Sequence, residues 1–186
     1  MALPHIALND NPDHQWTIQP GFFNEANSFL GNSQSGVFGN LDNAYTTYAN
    51  FNYNASYNDV KVFGQFGLGY TKNSYSNEWS MLSKAGDIYS STWSAGVEKN
   101  GWGASVSQPV TIETASMTYN VPTSRDMDGN VNNTETKVNM KTDERNLDFT
   151  AYYKYNIDTV DFKAYVEQRT GGFADTNLGV QIAYKF

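Results

Sequence analysis

Apolar and polar side chains alternate along most of this chain with a period of two, the spacing of a β-strand whose two faces meet different surroundings. From Tyr45 the odd positions read Tyr45, Thr47, Ala49, Phe51, Tyr53, Ala55 and Tyr57, while Thr46, Tyr48, Asn50, Asn52, Asn54 and Ser56 hold the even ones. After Asn58-Asp59 the apolar set becomes even: Val60, Val62, Gly64, Phe66, Leu68 and Tyr70. A two-residue hairpin that pairs Tyr57 with Val60 on one face requires this change of parity.

The pattern recurs. Leu147, Phe149, Ala151, Tyr153, Tyr155 and Ile157 form one face, Asp158-Thr159 makes a turn, and Val160, Phe162, Ala164 and Val166 continue that face. Trp93, Ala95 and Val97 precede Asn100-Gly101, a strong hairpin dipeptide, and Trp102, Ala104 and Val106 follow it. That loop is two or four residues long. A last run, Leu178, Val180, Ile182, Tyr184 and Phe186, alternates to the final residue, and a weaker one around Trp16, Ile18 and Phe22 supplies a first strand. The sum is about eight strands.

Tight turns at 58–59, 98–101 and 158–159 alternate with long connections at 71–89, 109–144 and 170–176, rich in Asn, Ser, Thr, Gly and Asp. Transmembrane barrels alternate in this way because one rim carries short turns and the other long loops. The face opposite the apolar one is charged: Lys61, Asp148, Lys154, Asp161, Lys163, Glu167 and Arg169 all have the contrary parity. A soluble carrier barrel would place such charges outside over an apolar lumen. A membrane barrel would place them inside, as paired lumen charges, with Phe51, Tyr53, Val62, Phe66, Leu68, Phe149, Tyr153, Phe162 and Val166 facing lipid. Aromatic residues near the strand ends and apolar runs of about ten residues favour the second arrangement.

Composition narrows the picture. The 186 residues suit one domain. No window of ~18 apolar residues exists, so any membrane crossing is by strands. A net charge of −7 argues against nucleic-acid binding, which needs clustered cations, and the lack of cysteine removes disulfides and thiolate metal sites. Met1-Ala2-Leu3-Pro4 has neither the charged nor the apolar segment of a secretory signal, which leaves export open.

The segment Val180-Gln181-Ile182-Ala183-Tyr184-Lys185-Phe186 resembles the C-terminal assembly signal of outer-membrane barrels, with Leu178, Val180, Ile182, Tyr184 and Phe186 as its alternating positions. Upstream, Phe29-Leu30-Gly31 with Gly36-Val37-Phe38-Gly39, and Phe63-Gly64-Gln65-Phe66-Gly67-Leu68-Gly69-Tyr70-Thr71, resemble the β-domain of subtilisin-like serine-protease autotransporters. So do Ser105-Val106-Ser107-Gln108-Pro109-Val110 and Arg145-Asn146-Leu147-Asp148. The resemblance implies a barrel that anchors, and helps export, an upstream passenger domain, in contact with outer-membrane lipid and the barrel-insertion machinery. The family's barrels are twelve-stranded, whereas this chain has length for about eight, and Arg169-Thr170-Gly171-Gly172-Phe173 keeps the Arg without the family's usual continuation.

Catalytic chemistry is sparse. His5 and His14 are the only histidines, both near the N-terminus, and no Ser sits in a nucleophile-elbow context. Asp126, Asp128 and Asn130 space oxygen ligands as part of a calcium loop does, but Gly129 is not where an EF-hand needs it, and an Asp-Gly turn in an external loop is the simpler reading. The expectation is therefore an all-β, antiparallel, up-and-down transmembrane barrel of about eight strands over residues 13–186, with residues 1–12 as a tail. It is expected to be a non-catalytic anchor in the bacterial outer membrane, without a cofactor. A free-standing small barrel (structural, a narrow pore or a surface binder) and a soluble carrier are the alternatives.

Overall fold

The structure is a computed structural model, and it describes residues 6–9, 11, 13–26, 28–30, 32–33, 40–76, 81–157, 159–172 and 174–184. Among these the regular elements are all strands, β1 Ile6–Ala7, β2 His14–Ala26, β3 Ser28–Phe29, β4 Asn32–Ser33, β5 Asn40–Tyr57, β6 Val60–Ser76, β7 Leu82–Ala85, β8 Ile88–Lys99, β9 Trp102–Thr114, β10 Ser116–Arg125, β11 Val131–Asn139, β12 Leu147–Ile157, β13 Val160–Thr170 and β14 Asp175–Tyr184. A nine-stranded antiparallel sheet has the order β1-β2-β5-β6-β8-β9-β12-β13-β14; β11-β10-β7 form a second sheet, and β3 and β4 a short ladder.

Eight long strands of the large sheet are those the alternation predicts, and the turns follow local chemistry. Asn58 and Asp59 both have positive φ (43° and 68°), which matches a type I′ turn, and Tyr57 pairs with Val60. Asn100 and Gly101 also have positive φ (50° and 84°), so this loop has two residues, with Lys99 opposite Trp102. Ile157 pairs with Val160, so the chain reverses between them; Asp158 itself lies outside the described residues.

Two expectations are corrected. The long connections at 71–89 and 109–144 carry further strands: β6 runs on to Ser76, and the hairpin of β10 and β11 pairs through β10 with β7. Alternation misses them because β11 is exposed along its whole length, so nothing selects an apolar face there. The large sheet is also open. Its edges are β1 and β14, and β1 folds back on β2, pairing Ile6 with Ile18 and Ala7 with Thr17. It thereby takes part of the edge that a closing strand needs.

The sheet curls toward its polar side. Tyr152 of β12 reaches across Gly103 of β9 to donate a hydrogen bond to Glu98 of β8 at 2.9 Å. Gly103 makes this possible, since a Cβ there would run into the Tyr152 ring. Phe63 lies over Gly96, and Tyr165 over Gly179, in the same way, each ring covering the backbone of a side-chain-free neighbour.

The buried core is small and sits at the loop end. Ala44, Leu82, Ile88, Ala115 and Met117 pack there, with Tyr75, Ile112 and Tyr119 against them. Beside them Thr46 and Thr71 share a buried hydroxyl–hydroxyl hydrogen bond of 2.7 Å. The second sheet thus closes the loop end of the concave face with an apolar plug.

Candidate functional site: the polar concave face

Over its turn half the concave face is built by the even positions of β5, β8 and β12 and their odd-numbered partners on β6, β9, β13 and β14, and a register shift between β8 and β9 changes the β9 parity toward the loop end. At its turn end lies a groove of about 710 Å³. Lys61, Lys154, Lys163 and Glu167 line it, joined by Glu98, Tyr152 and Tyr165. Glu98 takes Lys154 Nζ at 2.6 Å and lies 3.9 Å from Lys61 Nζ. The Lys61 side chain is largely exposed, so that longer contact is screened and contributes little.

Lys154 and Lys163 are direct cross-strand neighbours, an arrangement that like charges disfavour. Both ammonium groups lie over the Tyr152 ring, each 4.8 Å from its centroid, and Lys163 is also 5.7 Å from that of Tyr165. Ring faces attract such cations by about 0.5–1 kcal/mol at exposed sites. Among the described residues no carboxylate forms an ion pair with Lys163.

The remaining charged positions fall elsewhere on the same face. Arg169 binds Asp148 through two hydrogen bonds, Nε to Oδ1 at 2.6 Å and Nη2 to Oδ2 at 2.9 Å, toward the loop end of β12 and β13. Asp161 accepts a hydrogen bond from Asn156 near the turn rim. Three groove residues escape the sequence reading for two reasons. Glu98, Tyr152 and Tyr165 have polar-face parity, but Tyr152 and Tyr165 resemble the apolar set in chemistry, and Glu98 precedes a turn whose length was open.

The convex face carries the apolar set. Phe51, Phe66, Leu68, Phe149, Tyr153 and Val166 are exposed there, and Tyr53, Val62 and Phe162 are half-buried. Leu178, Val180, Ile182 and Tyr184 on β14 are 81%, 71%, 64% and 58% exposed; Phe186 lies outside the described residues. Aromatic clusters mark both ends of this face. At the turn end Trp16 packs on Tyr53 and Trp102 on Tyr153, with centroids 4.4 and 4.7 Å apart; at the loop end Tyr70 meets Tyr89 at 5.3 Å. His14 belongs to the first cluster, with Nδ1 3.1 Å from Tyr53 Oη and 3.2 Å from Tyr57 Oη.

In the exposed β10–β11 tip, Asp126 is committed to its own turn. Oδ1 accepts from the Asp128 and Asn130 backbone amides at 3.0 and 2.7 Å, and Oδ2 from Asn130 Nδ2 at 2.9 Å. These bonds, that of the Asn130 side chain foremost, hold its carboxyl below the usual range. Among the described residues no group of three or more His, Asp or Glu side chains is placed to hold a metal ion.

No protein-family model matches the chain, and no curated protein and no solved structure matches it.

Proposed function

We propose that this chain is a bacterial outer-membrane barrel that anchors a surface domain and is itself non-catalytic. The observation that carries the reading is the convex face: contiguous, apolar, exposed and bounded at both ends by aromatic clusters, with the charges gathered on the concave side. Exposed apolar area on this scale marks an interaction surface, and strands of about ten residues tilted by about 40° match the ~25 Å apolar band of a transmembrane barrel. A soluble carrier would need the opposite distribution, with apolar side chains facing inward.

In the membrane the sheet closes by pairing β14 with β2. Eight long strands bring these two edges together antiparallel, and on both the even positions face outward. The hydrogen-bonded row that starts at Trp16 runs through Tyr53, Gly64, Ala95, Val106, Phe149 and Gln168 to Thr176. A shear of about 8, at which eight strands tilt by about 36°, slides β14 along β2 until Tyr184 stands beside Trp16. That register pairs Phe22 with Leu178, and β1 yields Ile18 and Thr17 to β14.

The test is to express the chain behind a cleavable signal peptide in a Gram-negative host, fractionate the membranes, and compare gel mobility before and after heating. Heat-modifiable material in the outer membrane is expected, and Phe22→Cys with Leu178→Cys should crosslink in the otherwise cysteine-free chain. Soluble periplasmic protein would overturn the membrane reading. Outer-membrane protein that does not crosslink would overturn the register alone.

A further inference from the structure

We propose that the groove at the turn end of the concave face binds a soluble sugar that carries one anionic group. Its first feature is an excess of positive charge, with Lys61, Lys154 and Lys163 against Glu98 and Glu167. Lys154 and Lys163 stand opposite one another, and Gln181 is the direct cross-strand neighbour of Lys163 on the other side. This row offers hydrogen-bond donors from all three side chains. Glu98 neutralises Lys154 at 2.6 Å, while among the described residues Lys163 is held by the Tyr152 and Tyr165 ring faces. Because both ammonium groups sit over one ring, they lie within about 10 Å of each other, about one Debye length in dilute salt. An oxyanion relieves their repulsion.

The floor supplies the second feature. Phe63, Tyr152 and Tyr165 each cover a neighbouring glycine, Gly96, Gly103 and Gly179, so they lie along the wall of the groove and do not fill it. The Tyr152 and Tyr165 faces hold the two ammonium groups, and the flat face of Phe63, which lines the groove beside them, is the surface on which the C–H face of a sugar ring packs. The opposite wall presents Asn54 and Ser56, an amide and a hydroxyl that both donate and accept hydrogen bonds, as sugar hydroxyls require.

Size and access agree with this. A groove of about 710 Å³ lies within the usual 300–1,000 Å³ of small-molecule sites and exceeds what an inorganic ion needs. The apolar plug closes the loop end, so a ligand enters from the turn rim. The same residues line the concave face in the open sheet and in the closed barrel proposed above, so sugar binding and membrane insertion are read by separate measurements.

The full chain, refolded in detergent, is titrated with glucose 6-phosphate, glucose and inorganic phosphate, with binding read by calorimetry. Glucose 6-phosphate should bind one to one and at least tenfold tighter than either fragment. Lys163→Gln, which removes a charge that no carboxylate pairs among the described residues, should weaken it about tenfold with an unchanged thermal unfolding curve; Arg145→Gln, at the loop end, should leave it unaltered. Absence of saturable binding, equal affinity for inorganic phosphate, or full affinity in Lys163→Gln would each overturn the proposal.

Discussion

The two ends of the concave face share β5, β6 and β8, yet one is filled by an apolar plug and the other is an open, charged groove. At the loop end Leu82, Ile88 and Met117 are almost completely buried and Thr46 bonds to Thr71. At the turn end Lys61, Lys154 and Glu98 share their charges beside open space. The difference lies in what returns over each end. The long loops send β7 and β10 back across one, whereas among the described residues the tight turns send no strand across the other. The plug is therefore held by dispersion and burial, and the groove by electrostatics that solvent weakens.

Removing a side chain from each end tests that contrast. Leu82→Ala should be the most damaging change, lowering stability by about 2–5 kcal/mol through lost burial and a cavity; Lys154→Ala should stay within about 1 kcal/mol. Denaturant midpoints measured under one set of conditions read both, and equal losses would mean that the plug is not the stabilising half.

Gly103→Ala comes next. Its Cβ would displace the Tyr152 ring and its bond to Glu98, with an expected loss of about 1–3 kcal/mol. Combining it with Tyr152→Ala should cost less than the sum of the single changes, because both act on one contact. Strict additivity would show that the ring and the glycine are not coupled.

The smallest effect belongs to the β10–β11 tip, outside both regions. The Asp126 carboxyl is depressed by its bonds to Asn130 and to the turn amides. Ionised Asp126 therefore supports the turn fully above the ordinary carboxylate range, and that support is lost as pH falls through the depressed value. Amide resonances of Asp128 and Asn130 should shift in that acid window while those of the plug stay fixed. Simultaneous movement of both would mean that the tip and the plug unfold together.

Much of this was legible along the chain, for reasons visible in single segments. Val60 had to follow Tyr57 on one face once Asn58-Asp59 formed a two-residue turn, and Lys154 had to share a face with Asp148 because both are even positions of one strand. The site was less legible. Lys163 stood out as a charge, but its neighbours Tyr152 and Tyr165 were hidden by their own chemistry, since aromatic rings were counted with the apolar set. β10 and β11 were hidden too, because a ribbon exposed to solvent needs no alternation.

The order of side chains along the chain fixes the eight alternating strands, the tight turns and the division of side chains between two faces, because these follow from a two-residue backbone period and from local turn conformations. The direction in which the sheet curls, the end that the long loops cover, and the meeting of Glu98 with Tyr152 above Gly103 emerge in the folded molecule alone. Those outcomes depend on contacts between residues far apart in the chain, whose closeness is set by the register and twist of all the strands together and not by any one of them.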